Sequence, residues 1–402
     1  MLNVINHHIP EEARGTYYTL PFSVPGGIES VAVSYEYTGG VVDLGLMDHE
    51  QNFLGWSGSN KRRVFVGPNA ATPGYKMTVV SPGFWHIIIG AYKIPSGGLD
   101  VKYMVEFSSP MPRWFSGDLH MHSDASDGQH DIPTLAKKAQ KMGLDFIAIA
   151  DHNNYSENFF LPKIPGLTII PAVEWTHYRG HMNFFGVPAP FSSFIVNSEE
   201  EMRKIVAEAR QLGALVSANH PLDSKCPYLW ESTDCLDLVE VWNAPMRRSN
   251  IQAINWWHKM LQAGRKIPIV GGSDFHRDIH PARIGHPTTR VYTSTQAAAD
   301  ILDALKQGHS YITATVGGMQ LELKAGEFMM GDTAKDSESL FANAVGLCGK
   351  LQLVTSEGVA YEWQQNRLPA AVKILPEWKF AYLVAKSIFG RIKAISNPIY
   401  FG

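Results

Sequence analysis

Between Arg113 and Thr313 short apolar runs recur along the chain, and five of them end on or lead shortly into a histidine or an acid. Trp114–His120 leads into Met121-His122, and Phe146–Ala150 into Asp151-His152-Asn153. Leu167–Val173 ends in Glu174, Ala214–Ala218 in Asn219-His220-Pro221, and Ile267–Val270 in Gly271-Gly272-Ser273-Asp274-Phe275-His276. Unbroken apolar runs of this length fit strands buried on both faces. His181–Val187, Leu238–Val241, Arg290–Tyr292 and Ser310–Thr313 are further runs. Helix signals fall between them. Asp131 can cap a helix with Pro133 in its first turn, ended by Gly143. Ser198 and Glu201 have capping-box spacing, and further helices cover about 250–262 and the stretch up to Leu305. Some seven strand–helix units predict an α/β barrel related to the (β/α)8 class.

That topology gathers chemistry. In a parallel barrel the carboxyl ends of the strands share one face. His120 and His122, two apart on a strand, project to the same side. Asp127 follows across the Ser123–Gly128 turn, and His152, Glu174, His220, Asp274 and His276 end or follow later strands, with His181 near by. A lone histidine at a strand end is usually structural; this conjunction is not a lone histidine. One ion takes about four to six ligands, so the set suits two or three divalent ions. Glu174 has two oxygens with which to bridge, and His, Asp and Glu without thiolate point to Zn, Mn or Fe. Asp118, Asp124 and Asp151 read as turn residues or partners that orient an imidazole. Lys225, Arg247, Arg248 and Arg283 could meet an anion, although surface ion pairing is the more usual role. His280 and His286, flanking Arg283, fall where a loop would line the mouth.

The flanks differ. Residues 1–110 read as all-β, with short alternating runs such as Ser30–Tyr37 punctuated by Gly-Gly and Pro-Gly pairs, and predict a β-sandwich. Residues 108–112 read as a linker, 113–316 as the barrel, and 317–402 as a second, smaller β-domain. With 402 residues and a net charge of −3, the chain has no dense Lys/Arg block, so nucleic acid is not an expected partner. Its three cysteines form no CxxC, its start lacks a signal-peptide pattern, and no apolar run spans a bilayer. The expectation is a cytoplasmic protein with no membrane partner, acting on a small anionic molecule. Oligomeric state is left open.

The motifs His120-Met121-His122, Ser126-Asp127-Gly128, Asp151-His152-Asn153, Glu174, Asn219-His220-Pro221 and Asp274-Phe275-His276 together resemble those of the PHP (polymerase and histidinol phosphatase) metallohydrolases. The front β-domain and the ending Ala394–Tyr400 look like the CehA/McbA-type branch. The resemblance implies a distorted (β/α)7 barrel with up to three ions. His120 and His122 would hold one ion with Asp274. Glu174 would bridge it to a second, held by His220 and His181, with His177 as a competitor for the place of His181. Asp127, His152 and His276 would hold the third. His120, His122, Glu174, His220 and Asp274 would form the catalytic set of a phosphoesterase that uses metal-activated water on a small phosphate ester. A hydrolase of carboxyl or carbamate esters, and a non-catalytic ligand-binding module, are the alternatives.

Overall fold

The computed structural model describes residues 1–279 and 281–402; His280 lies outside the described residues. The chain divides into two compact units, Met1–Pro112 and Arg113–Gly402.

The first unit is two antiparallel four-stranded sheets over one core. Alternation sets which face is inside. On Leu99–Ser108, Leu99, Val101, Tyr103, Val105 and Phe107 are buried, while Asp100 and Lys102 between them face solvent. Val31, Val33 and Tyr35 oppose Phe107, Val105 and Tyr103 on the neighbouring strand. Trp85, Ile87 and Ile89 supply the inner face of the other sheet.

In the second unit we label the strands β1 (Arg113–Met121), β2 (Phe146–Ile149), β3 (Thr168–Trp175), β4 (Met182–Phe185), β5 (Leu215–Ala218), β6 (Leu238–Asn243), β7 (Ile269–Gly272), β8 (Thr288–Thr293) and β9 (Ser310–Thr313). The helices are α1 (Ile132–Met142), α2 (Glu199–Gln211), α3 (Arg248–Gln262) and α4 (Ala298–Gln307). Asp131 caps α1 by accepting the N–H of Thr134 at 2.9 Å, and Gly143 ends it at a φ of 82°. Ser198 caps α2 through the N–H of Glu201, whose carboxylate reaches back to the N–H of Asn197.

Strands β1 to β7 are neighbours in sequence order. The two ends of this run meet: the Asp274 N–H donates to the His120 carbonyl at 2.8 Å, and the His122 N–H to the Phe275 carbonyl at 3.0 Å. All pairs in the run are parallel except those of β4, which is antiparallel to β3 and to β5. The regular alternation of a (β/α)7 barrel is therefore not what the chain displays. It is a mixed α/β unit with one reversed strand and four α-helices among the described residues. The reason is local. Only six residues, 176–181, join β3 to β4, too few for a crossover helix and enough for an antiparallel return.

The sheet also continues past β1. β8 pairs antiparallel with β1, β9 with β8, and Ile392–Ser396 with β9. Several strands of 317–402 thus share a sheet with the middle of the chain, while Gln320–Ala325, Phe328–Met329, Ser339–Val345 and Ala370–Lys373 form a separate four-stranded sheet; all of them fall within the second unit. Among the described residues no helix is long and apolar enough to cross a membrane.

Candidate metal centre

Strand direction decides which side chains can meet. The carboxyl ends of β1, β2, β3, β5, β6 and β7 lie at one end of the run. Because β4 is reversed, the residue before it, His181, lies at that same end. His120, His122, Glu174 and His220 form a floor that is almost fully buried. Asp127, His152, His181, Asp274 and His276 form a rim with partial exposure. His220 and Asp274 have φ of 30° and 53°. Left-handed backbone at residues other than glycine costs roughly 1–3 kcal/mol and persists where the surroundings impose it.

Glu174 stands at the centre. Its Oε1 lies 3.4 Å from Nε2 of His120, 3.1 Å from Nδ1 of His181 and 3.2 Å from Nε2 of His220, and it accepts Nδ2 of Asn219 at 2.9 Å. Its Oε2 lies 3.6 Å from Nε2 of His122 and 2.9 Å from Nδ1 of His152. A carboxylate oxygen offers about two lone pairs. Four nitrogens around Oε1 exceed what hydrogen bonding can satisfy. Nε2 of His120, Nδ1 of His122 and Oε2 of Glu174 are buried with no hydrogen bond of acceptable geometry. Buried polar atoms are seldom left so, and nitrogen lone pairs converging on a carboxylate suit shared cations.

Several triads and one tetrad have ligand atoms within 4.8 Å of one another, close enough to share an ion. They are His120/His122/Glu174, His120/His220/Asp274, His152/Glu174/His181, His181/His220/Cys226 and His122/Asp127/His152/His276. The groupings differ in detail from the ligand sets implied by the family resemblance. His122 also joins Asp127, His152 and His276, with Nε2 of His276 3.1 Å from Oδ1 of Asp127. His177 is turned away: its Nε2 meets the carbonyl of Val196 at 3.0 Å, and its ring stacks on Trp175. Apart from Cys226 in one triad, the donors of these groups are imidazoles and carboxylates.

Charge follows from this packing. Burial disfavours the imidazolium of His120, but the carboxylates of Glu240, Glu174 and Asp274 outweigh it and hold its pKa well above the ordinary value. Burial likewise opposes ionisation of Glu174, and the histidines around it, His120 first, pull its pKa well below the usual range. Burial wins at His122, whose pKa is lowered.

Two supporting residues, Glu240 and Asn243, do not stand out in the sequence, whereas Asp118 and Asp151 do, as turn residues or partners of an imidazole. Glu240, in the middle of β6, accepts Nδ1 of His120 at 2.9 Å and the N–H of His220 at 2.9 Å. An acid inside the apolar run Leu238-Val239-Glu240-Val241 is the signal, since a fully buried acid is rare unless partnered. Asn243 donates to Glu240 and Asp274. Asp118 accepts the N–H groups of Ser273 and Gly285 at 2.8 Å each and of His120 at 3.3 Å. Asp151 accepts from Ser123 and Ser126, shaping the turn that carries Asp127.

A cavity of about 890 Å³ opens beside His220, Asp274 and His276. Lys225, Arg247, Arg248 and Arg277 line it. Arg247 pairs with Asp223 at 3.0 Å, the surface role expected for it. Lys225, Arg248 and Arg277 form no ion pair among the described residues. Arg283 lies outside this lining, and Nδ1 of His286 bonds the Ile284 carbonyl at 3.0 Å.

Residues 118–218 match the PHP domain. The matched span contains His120, His122, Asp127, His152, Glu174 and His181, and it stops just short of His220. Structural similarity extends to a two-domain protein from Bacteroides vulgatus ATCC 8482 containing a predicted PHP-like metal-dependent phosphoesterase. That match has 15% identity and a TM-score of 0.43, and covers 72% of this chain and 95% of that one. A protein from Bifidobacterium adolescentis ATCC 15703, also a proposed metal-dependent phosphoesterase, matches at 18% identity and a TM-score of 0.30, covering 42% of this chain and 90% of that one. An amidohydrolase from Chromobacterium violaceum with bound sulfate matches at 13% identity and a TM-score of 0.32, covering 41% and 89%. No curated protein matches the chain.

Proposed function

We propose that the second unit is a metal-dependent phosphoesterase acting on a small phosphate ester. One observation carries this reading: nitrogens of five histidines from four separate segments lie within 3.6 Å of the single buried carboxylate of Glu174. The PHP match over 118–218 supports it. His120, His122, Glu174, His220 and Asp274 would form the deep binding set. Asp127, His152 and His276 would hold a further ion at the rim, and His181 would complete the second. Two or three divalent ions, Zn, Mn or Fe, suit the donors. We further read β1–β7 as a distorted seven-stranded barrel, and the preceding β-sandwich as a mark of the CehA/McbA-like branch.

Held by these residues, divalent cations would acidify bound water toward neutral pKa and would polarise a phosphoryl oxygen. The chain's own contribution is placement. Glu240 accepts the Nδ1 proton of His120 and so turns Nε2 toward Glu174. Asn219 and Asn243 orient the carboxylates of Glu174 and Asp274. Lys225, Arg248 and Arg277, without carboxylate partners among the described residues, draw an anionic substrate to the mouth and offer charge to its phosphate. Neither nucleic acid nor membrane is needed as a partner, and the three free cysteines suit a cytoplasmic setting.

The test is elemental analysis of the purified protein, followed by phosphomonoester and phosphodiester panels with added Mn or Zn. Bound metal with turnover of a phosphate ester is expected. Turnover confined to an aryl-ester or carbamate panel would overturn the phosphoesterase reading.

A further inference from the structure

A second cavity, of about 530 Å³, adjoins the candidate centre on the side of His181. It shares Lys225 and Cys226 with the basic cavity, but its other walls differ in kind. Tyr178, Phe194, Ile195 and Val196 form one side of it, and the polar Asn153, Thr176, His177, His181 and Asn197 line the rest. Phe194 is 48% exposed, Ile195 69% and Tyr178 99%. Exposed apolar side chains scattered singly need no account, whereas several gathered at one cleft do.

This wall is built rather than loose. The Phe194 carbonyl accepts the buried indole N–H of Trp175 at 3.0 Å, and the Val196 carbonyl meets Nε2 of His177 at 3.0 Å. Val196 is buried in the core, and Ser193 Oγ accepts the N–H of Ile195 at 3.2 Å. The backbone of 194–196 is thus tied to β3 and the turn after it, while Phe194 and Ile195 are held outward into the cleft. A wall fixed before binding loses little conformational entropy when a ligand packs on it.

We infer that this cleft receives the alcohol half of the substrate, and that this half is apolar: an alkyl or aryl phosphate rather than a sugar phosphate or nucleotide. The inference rests on the phosphoesterase reading, and it names the substrate class for that site. With the phosphate beside Glu174 and His181, the ester oxygen faces the cleft, and an apolar substituent covers Phe194 and Ile195. A polyol packed on Phe194 and Ile195 would strip water from its hydroxyls against side chains that return no hydrogen bond.

The test is binding of hexylphosphonate and methylphosphonate, which differ only in the apolar arm and cannot be hydrolysed, to the Mn-loaded full-length protein by calorimetry. The expected result is at least tenfold tighter binding of hexylphosphonate, with Phe194→Ser and Ile195→Ser each reducing that ratio toward one. Both positions are at the surface, so the variants fold. Equal affinity of the two phosphonates, or binding of neither, overturns the inference. Kinetics with hexyl phosphate and glycerol phosphate separate the two readings. Hydrolysis of both at equal kcat/KM sinks the apolar cleft and leaves the phosphoesterase standing. Preferential phosphonate binding without turnover of any phosphate ester does the reverse.

Discussion

The carboxylate of Glu240 lies 2.9 Å from Nδ1 of His120 and, through its other oxygen, 2.9 Å from the backbone N–H of His220. One side chain on β6 therefore sets both an imidazole on β1 and the turn after β5. A carboxylate behind a ligating histidine fixes its tautomer and raises its basicity, and losing such a partner typically weakens metal affinity about 10–100-fold. Glu240→Ala is expected to fall in that range, measured by Zn or Mn titration against a competing chelator. Glu240→Gln, which keeps an acceptor, should lose less. Unchanged affinity in both variants would remove Glu240 from the site.

Gly272 on β7 packs directly against His120 on β1. A Cβ there would sit 2.3 Å from the Cβ of His120, 2.8 Å from its backbone nitrogen and 3.0 Å from Oε1 of Glu240. The first two atoms cannot swing aside. Gly272→Ala should destabilise the protein by about 3 kcal/mol, the upper range for overpacking, and should release metal by displacing His120. Denaturant unfolding and metal content of the purified variant check both.

Glu174→Gln keeps the volume of the side chain and removes the charge that several imidazoles share. Metal per chain should drop, and activity should fall at least about a hundredfold. Chelation of the unaltered protein should lower its Tm, because ions bound only to the folded state stabilise it by about 2.7 kcal/mol when free metal is 100 times Kd. For a chain this size that amounts to several degrees. A Tm indifferent to chelator and to added Mn or Zn would count against a resident ion.

Much of this was legible because the chemistry follows the hydrophobic pattern. Phe146–Ile149 and Leu215–Ala218 are fully buried runs, and the residues just past them, His152 and His220, face Glu174. Caps at Asp131 and Ser198 announced two helices. What escaped has a physical cause in each case. The reversal of β4 depends on the short 176–181 connection, and short connections carry no periodicity to read. His177 competes with His181 in the sequence; the structure separates them, with Nδ1 of His181 3.1 Å from Glu174 and His177 bonded to the Val196 carbonyl and stacked on Trp175. Glu240 was hidden because its partners are remote in the chain and its own neighbours are apolar. Arg277, beside His276, carries no mark of its role, since an arginine in a loop has no sequence sign of whether a carboxylate awaits it.

That distinction gives the last prediction. Arg277 and Arg248 line the cavity beside Asp274 and His276, and neither has a carboxylate partner among the described residues. Arg247, on the same wall, is held by Asp223 at 3.0 Å. A free guanidinium meeting a phosphate contributes about 1.5–3 kcal/mol, as hydrogen bonds to charged groups do. Arg248→Ala and Arg277→Ala should therefore raise KM for a phosphate ester about tenfold or more. Arg247→Ala should do less, because its charge is already neutralised. Steady-state kinetics at low and high salt check this: screening should weaken substrate binding in the unaltered protein and shrink the difference from the two variants. If Arg247→Ala were instead the most damaging of the three, the phosphate would lie toward Asp223, and the free cations would have another role.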